Sequence, residues 1–172
     1  MPIQKIIILA INIVGGIAVI GSYIWGLRPG TGGANALWGG TPAGIKSIYT
    51  ISMLFSALGY FFFIYFILFK LNTASFSPVI LYAIFLGILG ASALWMPLCN
   101  LFLANPTVFL WITIRAVLTV VGISPIALAW VLIGLHAKET GMAYQLAIVG
   151  SIYFAFHTAI LDMILWPIFF RM

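Results

Sequence analysis

Acid is almost missing from this sequence: Glu139 and Asp162 are its only carboxylates, against seven lysines and arginines. Together with two scattered histidines, His136 and His157, they do not supply the three or four converging ligands of a metal site. Cysteine is scarcer still. Cys99 stands alone, which excludes an internal disulfide, a CxxC redox pair and a thiolate metal cluster. Charge of either sign is rare, at 5% of residues, where a soluble domain carries about a quarter. The seven basic residues lie singly at Lys5, Arg28, Lys46, Lys70, Arg115, Lys138 and Arg171 rather than in a patch, which excludes a nucleic-acid surface. No lysine falls in the middle of an apolar run, so a retinal-type Schiff base has no candidate.

What fills the space is hydrocarbon, 65% of the chain, with aromatics at 16%. Five apolar runs exceed the roughly 18 residues that separate a spanning helix from a buried core helix. The pattern predicts an all-α integral membrane protein, one domain over 1–172, with spans at 6–27, 48–69, 79–103, 108–135 and 143–170. The first run is longer than a signal-peptide core and is read as a retained helix. Single basic residues at the ends of runs act as interfacial anchors. Their distribution leaves orientation open, since Lys5, Lys70 and Lys138 fall on one face and Arg28, Lys46 and Arg171 on the other.

The connection 28–46 is too rich in glycine and proline to span, with eight of them between Arg28 and Gly44. Long loops in compact bundles are more often lids or binding loops than plain connectors. Ala104-Asn105-Pro106 makes a tight reversal, and the turn around Glu139 returns the chain for its last span. Prolines at 97 and 125 each remove a backbone donor inside a span and predict kinks.

Arg115 and Asp162 are the ionised residues within the spans, where a charge costs several kilocalories per mole without a partner. Folding the fourth and fifth spans about Glu139 levels the two, roughly 35 Å from that turn at about 1.5 Å per residue. That depth lies close to the opposite membrane interface and not at the bilayer centre, and the expected arrangement is an interhelical ion pair or two snorkelling side chains. Thr158 and Asp162 share a face at helical spacing. His157, five residues from Asp162, points elsewhere and is assigned a helix-helix hydrogen bond. That leaves no catalytic constellation, and the chain is read as a non-enzyme. Interfacial belts account for Trp25, Trp38, Trp111, Trp130 and Trp166. Trp95 is different, because it lies mid-span beside Pro97, where an indole N–H is left wanting a partner. Small residues at Gly15, Gly16, Gly21, Gly87 and Gly90 permit close helix contacts within or between chains.

Three local patterns add a family. Thr41-Pro42-Ala43-Gly44 ends the long loop and is followed by Leu54-Phe55-Ser56-Ala57-Leu58-Gly59; Ser92-Ala93-Leu94-Trp95-Met96-Pro97-Leu98 occupies the third span; Leu161-Asp162 precedes Trp166 by four residues from the acid. In this order, with five spans and a long first loop, the chain resembles the tryptophan-rich sensory protein and translocator protein (TspO) family. It departs from the family pattern in the fifth span, where Gly150-Ser151, Phe154 and His157-Thr158 replace a Pro-Tyr, a Trp and a Phe-Ala. The resemblance implies a five-helix bundle binding a hydrophobic, tetrapyrrole- or sterol-like molecule in sensing or transport, with no covalent cofactor. Its expected pocket comprises Trp38, Phe55, Ser92, Trp95, Phe154, Thr158 and Asp162, with membrane lipid, a bound pigment and a homodimer as expected associations. The alternative is an accessory subunit of a larger membrane complex without its own ligand; a third reading, a membrane enzyme acting on lipid through His157 and Asp162, is opposed by their different helix faces.

Overall fold

The computed structural model describes residues 1–28, 33–72, 76–135 and 141–170. The readings placed on His136, Lys138, Glu139 and Arg171 lie outside them. Every described element is helical, and five helices are long and apolar enough to cross a membrane. Helix is what such a composition must form, because hydrocarbon offers no partner to an open backbone N–H or C=O. The spans are α1 (Ile3–Gly26), α3 (Ala43–Tyr65) with its extension Phe66–Lys70, α4 (Pro78–Ala104), α5 (Val108–Gly134) and α6 (Met142–Phe156), which runs on through His157–Leu165 into α7 (Trp166–Phe169).

Their ends follow from local chemistry. Pro42 precedes α3 and Pro78 opens α4, where a missing N–H is harmless. Thr107 caps α5 by accepting a 3.2 Å hydrogen bond from the Leu110 N–H. The connection 28–46 differs from its expected form: it holds a short helix, α2 (Gly33–Trp38), and α3 begins before the connection was expected to end. Gly39, at φ +50°, ends α2 in the left-handed region that glycine enters without penalty.

The helices close a ring in the order α1, α4, α5, α6, α3. α1 and α4 run parallel, with Gly15 against Leu89 and Gly26 against Met96 and Asn100. α3 and α6 run antiparallel and cross closest at Gly59 and Gly150, where a β-carbon built on either would lie 2.6 Å from the other's carbonyl oxygen. Gly15 and Gly87 are also tight contacts, against Leu89 and Ser124, whereas Gly16, Gly21 and Gly90 face open space. Two apolar clusters fill the ring. One, around Phe63, Phe66, Phe85, Ile88, Leu128 and Leu132, packs solidly. The other, around Tyr49, Met96, Leu118, Leu161 and Trp166, surrounds a cavity.

Two stretches wind more widely than an α-helix, as π-helix, at Phe66–Lys70 and His157–Leu165. Bonds from Leu71 N–H to Phe66 O and from Trp166 N–H to Leu161 O span five residues. In the second stretch, side chains from other helices occupy two carbonyls: the Tyr49 hydroxyl donates to Leu161 O and Arg115 Nη1 to Met163 O at 2.6 Å; just before it, the Thr158 hydroxyl donates to Phe154 O at 2.9 Å. Such insertions release the regular ladder and keep the released groups satisfied in an apolar surrounding.

A candidate ligand cavity within the bundle

The wide turn decides the site. At 3.6 residues per turn, positions five apart are rotated about 140° from each other, so His157 and Asp162 should diverge. In the π-helical stretch they converge: His157 Nε2 lies 3.7 Å from Asp162 Oδ2. The expectation that His157 points away is therefore corrected, and the cause is a change of pitch rather than of sequence register. Its other nitrogen, Nδ1, shares a 2.9 Å hydrogen bond with the Ser52 hydroxyl of α3, which also accepts from Tyr153 at 3.3 Å. That is the helix-helix bond assigned to His157 from sequence.

The ion pair expected between Arg115 and Asp162 does not form. Arg115 is at the expected level, but it donates to the Met163 carbonyl and faces a separate, more open groove of about 620 Å³ beside Thr107, Trp111 and Pro167. Asp162 turns inward. Its side chain is 30% exposed although it lies within the bundle, and that exposed surface faces the cavity. No hydrogen bond reaches its carboxylate among the described residues.

The cavity measures about 270 Å³ and is walled by all five spans. Tyr23 and Leu27 come from the end of α1, Tyr49 and Met53 from α3, Ser92, Trp95 and Met96 from α4, Leu118 and Val121 from α5, and His157, Asp162 and Trp166 from the last span. Leu37 and Trp38 of α2 supply the roof. The roof is fastened at defined points: Trp166 Nε1–H donates to Leu37 O at 3.0 Å, and the Gly40 N–H to Phe169 O at 3.0 Å. Gly39 is needed there, since a β-carbon would fall 2.6 Å from the same Phe169 oxygen.

Aromatic rings meet around the space, edge to face except for the tilted Tyr23–Trp95 pair. Trp95 contacts Trp166 at 5.4 Å between centroids and Tyr23 at 5.9 Å, Trp38 contacts Tyr49 at 5.5 Å, and Tyr49 contacts His157 at 6.3 Å. Trp95 Nε1 is buried without a hydrogen-bond partner, the outcome foreshadowed by its position beside Pro97.

Of the seven residues expected in a pocket, Trp38, Ser92, Trp95 and Asp162 line this one. Three do not. Phe55 is 56% exposed on the outer face, where it meets Tyr153. Phe154 packs on Tyr60 and Phe63 toward the solid cluster. Thr158 is buried with its hydroxyl committed to the Phe154 carbonyl, a bond available to any threonine one turn below. Trp166 and Trp38, expected in interfacial belts, are cavity walls; Trp166 is only 5% exposed, while Trp130 at 79% faces outward. Tyr23, Tyr49 and Trp166 were missed. A signal existed for Tyr49: Tyr49, Ser52, Ser56 and Gly59 recur at three- and four-residue steps in an otherwise apolar helix, marking the stripe that faces α6.

Among the described residues no cluster of histidine, cysteine or acidic side chains is arranged to hold a metal ion. The site offers stacking surfaces, the hydroxyls of Tyr23, Tyr49 and Ser92, an unpaired indole N–H and one carboxylate, a set suited to holding a small molecule. No protein-family model, curated protein or solved structure matches the chain.

Proposed function

We propose that this membrane protein binds a lipophilic small molecule in the cavity under α2, acting as a sensor or carrier in the manner of the TspO family it resembles. The observation that carries this reading is the aromatic cavity with a fastened roof, formed where the longest connection folds back over the bundle. A cavity of about 270 Å³ lies at the lower edge of the roughly 300–1,000 Å³ of drug-sized sites, which favours a ligand of one or two rings. A tetrapyrrole would enter only with part of its macrocycle outside.

The test is a filled cavity. 1-Aminonaphthalene, two fused rings and uncharged at neutral pH, should bind the purified protein saturably with enhanced fluorescence. Leu118→Trp, which places a large ring in the space from α5, should abolish that saturable component while leaving the helical circular dichroism unchanged. Equal binding by the filled variant would place the probe elsewhere and remove the support for this reading. A stoichiometric protein partner retained in mild detergent, with no saturable binding, would favour the accessory-subunit alternative instead.

A further inference from the structure

The cavity combines two features that meet in one class of ligand. Its walls include the aromatic side chains of Tyr23, Trp38, Tyr49, Trp95 and Trp166, and among the described residues its single carboxylate, Asp162, faces inward without a hydrogen bond. His157 is the imidazole on the same wall. It approaches no nearer than 3.7 Å, beyond hydrogen-bond reach, and its second nitrogen is engaged by Ser52. Among the described residues neither lysine nor arginine lines the space. Arg115, which reaches the same level of the bundle, spends its guanidinium on the Met163 carbonyl in the other groove.

A carboxylate without a hydrogen bond in a largely apolar cavity is costly, and a positive charge that joins it offsets the cost. Aromatic faces attract cations through the ring quadrupole, and sites that combine several rings with an acid are how proteins hold alkylated ammonium groups. This chain already places a cation on one of these rings: Lys46 Nζ lies 6.0 Å from the Trp38 centroid. We propose that the ligand is a lipophilic organic cation, an amine or quaternary ammonium with an apolar body, whose nitrogen sits among the rings opposite Asp162. The proposal rests on the ligand-binding reading above and specifies its chemistry. The rings would take the apolar body and the alkyl groups on nitrogen, and Asp162 would supply the counter-charge.

Benzyltrimethylammonium and neopentylbenzene test this directly, since they share a shape and differ by one charge. Binding of each to the full-length protein in detergent is read from quenching of tryptophan fluorescence, with partition into empty micelles subtracted. The cation should bind at least tenfold more tightly than its neutral isostere, and Asp162→Asn should bring the two within about twofold. If the neutral compound binds saturably and equally well to the wild-type protein, the cation proposal is overturned while the cavity reading survives. A cation preference that persists in Asp162→Asn also overturns it, by removing the carboxylate from recognition. Saturable binding of neither compound overturns both. Should Asp162→Asn fail to fold, the wild-type comparison of the two probes still decides.

Discussion

Gly150→Ala attacks the bundle at its tightest crossing. The added methyl would stand 2.6 Å from the Gly59 oxygen, 2.9 Å from its Cα and 3.1 Å from its carbonyl carbon. Ordinary carbon contacts lie near 3.5–4.0 Å, so α3 and α6 must separate by close to an ångström, and backbone cannot rotate aside as a side chain can. Overpacking of this kind costs about 1–3 kcal/mol, outweighing the gain of up to about 1 kcal/mol that alanine brings to a helix interior. The separation would also draw Ser52 from His157, two turns along the same contact, and loosen the cavity wall. Gly16→Ala is the matched control, because a β-carbon there meets nothing within 4 Å. Thermal unfolding in one detergent should show Gly150→Ala lowered by several degrees and Gly16→Ala unchanged or raised. Equal midpoints for the two variants would refute the packing argument.

Other consequences are equally open to measurement. Gly39→Ala should release the roof, since it strains a backbone at φ +50° and collides with Phe169 O; amide exchange at Gly40 should accelerate, and protection equal to wild type would contradict the fastening. Ser52→Ala removes the partner of His157 and Tyr153, at a cost of about 1–3 kcal/mol for leaving buried polar groups unpaired, read as a lowered unfolding midpoint; substitution without effect would deny the bond a structural role. In bilayers of brominated lipid, a variant retaining only Trp130 should be quenched strongly and one retaining only Trp166 weakly. The reverse order would show that the outward and inward faces have been exchanged.

Much of the architecture was legible because hydropathy and backbone punctuation carry it. Five apolar runs became five helices, Asn105-Pro106 and Pro42 mark ends, and counting from the turn near Glu139 placed Arg115 level with Asp162, one residue from the Met163 carbonyl it meets. Trp95 was legible through Pro97. What escaped depends on azimuth. The assignments of His157, Asp162 and Arg115 to helix faces assumed a constant 100° per residue, and nothing in His157–Leu165 announces a wider turn. That turn is stabilised by donors from two other helices, Tyr49 and Arg115, so it is a property of the packed bundle and not of the segment. Tryptophans near helix ends pose a similar problem: Trp130 and Trp166 look alike in a hydropathy profile, and only the neighbours of Trp166 bring it inside. Phe55 and Phe154 were placed by resemblance, and their local packing sends them elsewhere.

Native mass spectrometry of the protein released from gentle detergent shows whether the space beneath α2 holds a small molecule. A single small-molecule adduct is expected on each chain, displaced by benzyltrimethylammonium and absent from Leu118→Trp. The same spread of lipid adducts on wild type and Leu118→Trp, with no discrete small molecule on either, would contradict that expectation.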